Sequence, residues 1–127
     1  MMKEKGFSKQ ERICNRDDFK FLFSDGKSFF SYPFRCVFAE NQSDELLVRI
    51  AISVSKKKFK LAVDRNRIKR LIREAYRLEK RYLYKHIPSP LTLNMLIIYT
   101  ENKILNHKHI RNGMQGLMKK TKEAMGK

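Results

Sequence analysis

Residues 61–77, LAVDRNRIKRLIREAYR, carry two patterns at once. Six of these side chains are lysine or arginine. An apolar series runs between them: Ile68, Leu71, Ile72, Ala75 and then Leu78. Apolar residues spaced three and four apart predict a helix that buries one face. The segment therefore predicts an amphipathic helix over about 63–85, ended by the prolines of IPSP, with a buried back and a cationic front.

The positive charge of the chain is concentrated around this helix. The 127 residues carry a formal charge of +16. Residues 56–85 hold thirteen Lys or Arg against three Asp or Glu, whereas residues 1–55 hold nine against eight. A dense patch of one sign indicates a polyanionic partner, either nucleic acid or an anionic membrane surface. Because no stretch approaches a transmembrane span or a signal peptide, we expect a cytoplasmic protein.

The rest of the chain predicts a small α+β domain. The first dozen residues are polar and predict a loose N-terminal arm. The other predicted elements are a helix at 15–26, strands at 33–40, 45–55 and 91–100, and a closing helix at 102–123. The polar link ENQSDE predicts that the first two strands are antiparallel neighbours. This order predicts one domain over 1–127, a two-layer sandwich with helices on a sheet.

A helical wheel separates the basic side chains from the apolar back. One continuous arc holds Arg65, Asn66, Lys69, Arg70, Arg73 and Arg77, while Arg67 lies apart beside Glu74. The preceding loop adds Lys56, Lys57, Lys58 and Lys60. Arginine suits phosphate because its planar fork binds two oxygens at once. We expect replacement of the arc residues Arg65, Lys69 and Arg73 to weaken binding of the polyanionic partner with little change in stability.

The residues predicted to bind this partner, which is RNA if the resemblance described next holds, come from this face and its loop. They are Lys56, Lys57, Lys60, Arg65, Asn66, Arg67, Lys69, Arg70 and Arg73. The alternative is a solvated basic helix without a ligand. We disfavour that alternative because three acids cannot neutralise thirteen bases within the segment.

Residues 53–77, SVSKKKFKLAVDRNRIKRLIREAYR, resemble the signature of the bacterial ribonuclease P protein subunit family. That signature is a Lys-Lys loop, then Ala-Val-x-Arg-Asn-Arg-x-Lys-Arg, then Arg-Glu and an aromatic residue. Residues 17–29, DDFKFLFSDGKSF, are similar to the first helix of the family and its following turn.

The resemblance implies a fold and a function. The implied fold has the order αβββαβα, with helices on one mixed sheet (ribosomal protein S5 domain 2-like) and a left-handed βαβ crossover. The sequence patterns support three of its strands and do not locate the fourth. The implied partners are a catalytic RNA and precursor tRNA, whose 5′ leader the complex removes. The RNA would perform the hydrolysis through Mg²⁺, with no metal bound by the protein and no obligate protein partner.

Phenylalanines are candidates for contact with the leader. Phe19 and Phe23 lie one turn apart, a spacing that fits either a core face or a platform for stacked bases. The resemblance implies that the leader runs in the cleft between the first helix and the sheet. On the neighbouring strand, Phe34 is predicted to share this leader-binding cleft, while Phe38 is favoured for the core.

Other function classes find less support in the sequence. His86, His107 and His109 do not form a ligand set, and we expect Asp64 and Glu74 to pair with nearby arginines. A protein-only nuclease would need a cluster of carboxylates or histidines, and none is evident. A ribosomal or other structural RNA-binding protein remains the alternative. Cys14 and Cys36 are spaced for neither metal nor redox chemistry and are predicted to be free thiols.

Overall fold

The computed structural model describes residues 27–42, 47–86 and 91–125. Four strands are present, β1 (Lys27–Ser31), β2 (Phe34–Gln42), β3 (Leu47–Ser53) and β4 (Leu91–Tyr99). The two helices of this part are α1 (Ala62–His86) and α2 (His107–Met125). The predicted α+β class with helices on a mixed sheet is confirmed, and β1 is the strand that sequence patterns did not locate. The predicted arm at 1–12 and helix at 15–26 lie outside the described residues.

The four strands form one sheet in the order β1-β2-β4-β3. β2 pairs antiparallel with both β1 and β4, whereas β3 pairs parallel with β4. The prediction that β2 and β3 are neighbours is wrong, because β4 lies between them. The reason is burial on both faces: β4 is buried continuously from Leu93 to Ile97. A strand with that pattern belongs in the centre of a sheet, whatever the length of the loops around it.

The main core lies between the sheet and the two helices, which share one face of it. Alternate residues of β2 point into this core, and Tyr76 and Tyr99 are its largest side chains. From α1, the core receives Ile68, Ile72 and Ala75, as the apolar series predicts. The strand and helix residues of the core include Phe34, Cys36, Phe38, Val48, Ile50, Leu93, Met95, Ile97, Ile110, Met114, Leu117 and Met118. Cys36 is a free thiol, and burial raises its pKa.

The opposite face of the sheet carries a smaller apolar patch. Ala39 and Leu96 are buried there, and Val37, Ala51 and Ile98 pack partly buried around them. These residues come from the three strands β2, β4 and β3, so the patch crosses the middle of the sheet. This face is therefore distinct from the face that α1 and α2 cover.

Helix α2 lies close to the turn between β1 and β2. A Cβ on Gly113 would come within 2.4 Å of Pro33 Cδ and 2.7 Å of the Tyr32 carbonyl oxygen, so only glycine permits this approach. The helix begins at His107 rather than near 102 because Asn106 caps it, its Oδ1 accepting the His109 N–H at 2.9 Å.

Candidate nucleic-acid interface

The lysine-rich loop before α1 folds as a defined turn. The Ser55 hydroxyl oxygen accepts the backbone N–H groups of Lys57 and Lys58 at 3.2 and 3.3 Å. The Phe59 N–H donates to the Ser55 carbonyl oxygen at 3.1 Å, and its buried ring packs 6.0 Å from the ring of Tyr99. The loop is thus anchored at its start by a serine and at its end by a core aromatic residue.

Three lysines of this loop extend into solvent. Lys56, Lys57 and Lys60 are exposed and make no side-chain hydrogen bond or ion pair with the described part of the chain. Lys58 differs, because its Nζ donates to the Thr100 carbonyl oxygen at 2.6 Å and ties the loop to the end of β4. The anchored turn therefore presents three ammonium groups at one end of the sheet.

Arg65 joins this loop to the helix. Its Nη1 donates to the carbonyl oxygens of Phe59 and Lys60, at 2.8 and 3.0 Å. The side chain is half-buried, unlike those of the exposed lysines. The expectation that Arg65 contributes little to stability therefore needs revision, since its guanidinium holds the loop in place. The Nε and Nη2 groups make no hydrogen bond within the described residues and can still donate to a phosphate.

The exposed side of α1 carries the remaining predicted residues. Asn66, Arg67 and Arg70 are exposed, whereas Lys69 and Arg73 are half-buried. The wheel placed Arg67 apart from the other cations, beside Glu74. In the structure Arg67 is exposed, as are Asn66 and Arg70, so all three side chains can reach a partner.

The acids of the segment neutralise cations outside the predicted set. Glu74 pairs with Arg77, whose Nε lies 3.1 Å from Oε2, and the hydrogen bond lowers the pKa of Glu74 and raises that of Arg77. Glu79 pairs with Arg111 of α2 at 2.8 Å. The pairing predicted for Glu74 is thus confirmed, but the structure shows no ion pair for Asp64 within the described residues. No cation of the predicted RNA-binding set is paired with a carboxylate in that part of the chain.

Phe34 does not belong to an accessible cleft. It lies on the helix-facing side of β2, has 0% of its surface exposed, and packs 6.3 Å from the ring of Tyr99. A side chain without exposed surface cannot stack on a base, so we correct its assignment to the core, where Phe38 also lies as predicted. Phe19 and Phe23 lie outside the described residues.

Two apolar residues of this surface were missed by the sequence patterns. Leu61 and Val63 are 63% and 69% exposed, although they adjoin the apolar series of α1. Leu61 is the N-cap of the helix, because its carbonyl oxygen accepts the N–H groups of Asp64 and Arg65 at 3.1 and 3.3 Å. No Ser, Thr, Asp or Asn stands directly before the predicted helix. This absence is the sequence signal that an apolar residue, Leu61, occupies the N-cap position.

Other site types find no support in the described residues. Within 27–42, 47–86 and 91–125, no group of three or more His, Cys, Asp or Glu side chains could hold a metal ion. His86 and His109 instead contact the Tyr82 carbonyl oxygen and the Asn106 side chain, at 2.9 and 2.7 Å. No helix in the described part of the chain is both long and apolar enough to cross a membrane.

Known proteins are similar to this chain in sequence and in fold. The family model described as Ribonuclease P matches residues 7–122. The ribonuclease P protein component of Porphyromonas gingivalis strain W83 is 46% identical over 79 residues, which cover 61% of this chain and 58% of that protein. The component from Nitrosococcus oceani is 37% identical over 82 residues, covering 65% of this chain and 67% of the relative.

Solved structures agree with the sequence matches. A structure of the Staphylococcus aureus RNase P protein has a TM-score of 0.69 at 29% identity, covering 89% of this chain and 96% of that one. The Thermotoga maritima protein gives 0.67 at 28% identity, covering 87% and 96%. The shared signature, the matched family model and the common fold lead to one conclusion: the chain belongs to the ribonuclease P protein family.

Proposed function

We propose that this chain is the protein component of ribonuclease P and promotes removal of the 5′ leader from precursor tRNA in the cytoplasm. Its partners are the catalytic RNA and the precursor, with no obligate protein partner. The observation that carries the proposal is the predicted RNA-binding set on the anchored loop and the first half of α1, because none of the cations in that set pairs with a carboxylate of the described residues. Such a surface attracts phosphates and releases their counterions on binding.

The loop and the helix have different tasks in this proposal. Lys56, Lys57 and Lys60 project from a turn that Ser55, Phe59 and the Arg65 guanidinium hold, so the backbone that carries these lysines is in place before RNA arrives. Arg67 and Arg70 project from a helix whose back is packed in the core. A preorganised basic surface loses less conformational entropy on binding than a flexible tail would.

We assign the hydrolysis to the catalytic RNA, together with the Mg²⁺ ions that it would bind. Two of the three acids among residues 56–85, Glu74 and Glu79, are engaged with arginines. The role of the protein is then to strengthen the binding of RNA and of precursor. We place the leader on the sheet face opposite α1 and α2, where Val37, Ala51 and Ile98 are partly accessible, with Phe19 and Phe23 as the proposed stacking residues.

Reconstitution tests the proposal. Protein freed of RNA should not cleave precursor tRNA, whereas protein with the cognate catalytic RNA should release the 5′ leader at low Mg²⁺ more efficiently than the RNA does by itself. A structural RNA-binding protein would bind without this stimulation. Specific cleavage by the RNA-free protein, or the absence of any stimulation, would contradict the proposal.

A further inference from the structure

Four side chains form one row across the sheet, at the end where the lysine loop begins. The strand register pairs Phe30 with Arg35, Arg35 with Ile98, and Ile98 with Ser53. Side chains of paired residues lie on the same face of a sheet. Because Ile98 packs in the apolar patch opposite α1 and α2, the whole row lies on that face. We call it the loop-end row, since the loop that Ser55 organises follows Ser53.

Phe30 and Arg35 are close neighbours within this row. The Nζ of Lys120 donates to the Phe30 carbonyl oxygen at 2.6 Å, so this carbonyl points away from β2. The two residues therefore form a non-hydrogen-bonded pair of the antiparallel ladder. Facing side chains lie closest in such pairs, with Cβ atoms about 4.5–5.5 Å apart. The phenyl ring and the arginine side chain thus stand side by side at the rim of the sheet.

Both side chains of this pair are accessible to a partner. Phe30 is 45% exposed, whereas Phe38 on the other face of the sheet is buried in the core. Arg35 is exposed and makes no hydrogen bond or ion pair with the described part of the chain. An exposed aromatic ring beside an unpaired guanidinium is suited to single-stranded nucleic acid, because the ring stacks on a base and the cation binds the backbone.

The shape of the face identifies which RNA segment it binds. A sheet face with partly accessible apolar residues accommodates an unpaired strand, whose bases can lie on it. Paired bases hide their faces inside the duplex, so a stem cannot stack on Phe30. The leader is an unpaired extension of the precursor, and the proposed function places it on this face. The cations of α1 lie on the other side of the sheet.

We infer that Phe30 stacks on one base of the 5′ leader while Arg35 binds a phosphate beside that base. This inference rests on the proposed function and deepens it, because it assigns a nucleotide contact to the loop-end row. The bound nucleotide lies next to the lysine loop, where Lys56 and Lys57 can contact the adjoining part of the strand.

Two substitutions of Phe30 separate stacking from apolar packing. Phe30→Leu keeps an apolar side chain but removes the ring, whereas Phe30→Tyr keeps the ring. In complex with the catalytic RNA, Phe30→Leu should raise the dissociation constant for leader-bearing precursor about tenfold. Phe30→Tyr should keep that constant within about twofold of the wild type. Mature tRNA, which has no leader, should bind equally to all three proteins.

Salt dependence tests the phosphate contact of Arg35. Arg35→Gln should flatten the log–log salt dependence of precursor binding by about 0.7 and leave that of mature tRNA unchanged. Phe30→Leu should keep the wild-type slope, since the ring carries no charge. Lys122→Gln is the matched control, because it removes one exposed charge from α2. This control should keep the wild-type difference between precursor and mature tRNA.

A series of leader lengths locates the nucleotide. With leaders extended one nucleotide at a time, Phe30→Leu should bind as the wild type does until the strand reaches the row, and about tenfold more weakly at every greater length. A loss already present with mature tRNA, or in binding of the catalytic RNA by itself, would overturn the assignment to the leader. Equal binding by wild type and variant at every length would also overturn it.

A single-stranded oligonucleotide of the leader sequence, titrated against the protein alone, separates this inference from the proposed function. Phe30→Leu and Arg35→Gln should each bind it more weakly than the wild type, and a fully paired duplex should not distinguish the three proteins. Arg35 is exposed, so Arg35→Gln should melt as the wild type does and decides the inference even if Phe30→Leu is destabilised. If leader removal is not stimulated but the oligonucleotide distinguishes the variants, the proposed function fails and the strand contact stands. Equal binding of the oligonucleotide by all three proteins would overturn the inference.

Discussion

Replacement of Arg65 by alanine should lower both stability and RNA affinity. The guanidinium makes two hydrogen bonds, to the carbonyl oxygens of Phe59 and Lys60. A hydrogen bond from a charged donor contributes about 1.5–3 kcal/mol when buried. Because Arg65 is only half-buried, we expect the two bonds together to contribute about 2 kcal/mol to the free energy of unfolding. The melting temperature should then fall by about 6–8 °C.

Arg70→Ala is the matched control for this prediction. Arg70 is exposed on the same helix and makes no side-chain hydrogen bond within the described residues, so its loss should change stability by less than about 0.5 kcal/mol. Both variants remove one positive charge. Any additional loss of RNA affinity in Arg65→Ala therefore measures the disordering of the lysine loop.

Thermal melts and RNA titrations at several salt concentrations are the assays. Arg65→Lys should restore the salt slope of the wild-type protein but only part of its melting temperature, because an ammonium group lacks the planar fork of arginine. If Arg65→Ala and Arg70→Ala have the same melting temperature and the same RNA affinity, the positioning role of Arg65 is refuted.

Three further predictions concern the helix, the close approach of α2 and the proposed leader contact. Joint replacement of Lys69 and Arg73 by alanine should flatten the log–log salt dependence of RNA binding by about 0.7 per lost phosphate contact, with an unchanged slope contradicting their role. Gly113→Ala should destabilise the fold by about 1–3 kcal/mol in a denaturant melt, because its Cβ would overlap Pro33; unchanged stability would show that α2 can shift. Phe23→Ala should weaken binding of leader-bearing precursor by about 1–3 kcal/mol without affecting mature tRNA, and equal losses for both RNAs would exclude a leader contact.

Local periodicity predicted α1 and the strands β2, β3 and β4 well, but it missed β1 and started α2 about five residues early. The helix predicted over 63–85 agrees with α1 to within one residue at either end. The strand predicted over 91–100 agrees with β4 to within one residue at its end. The order of the strands in the sheet was harder to predict, because the polar link between β2 and β3 indicated a hairpin. The double-sided burial of β4, which places it between them, is a tertiary property that only the assembled sheet reveals.

The basic face was also predictable, but the roles of individual side chains were not. A helical wheel assumes equal exposure around the basic arc, whereas packing half-buries Arg65 and exposes Arg67. Phe34 was assigned to the leader cleft from the family resemblance, although alternation along β2 puts it on the same face as Phe38, which was assigned to the core. The exposure of Leu61 was missed since an apolar residue next to an apolar series is ordinarily expected in the core.

Lysine footprinting in the protein–RNA complex tests the central claim most directly. Acetylation of surface lysines, followed by mass spectrometry, compares each side chain in free and bound protein. The predicted contacts are Lys56, Lys57, Lys60 and Lys69, and the internal controls are the exposed Lys119 and Lys122 on the second half of α2. Binding of the catalytic RNA should protect the first set and leave the controls reactive. Protection of Lys119 and Lys122 with the loop lysines still reactive would contradict the assignment of this face to RNA.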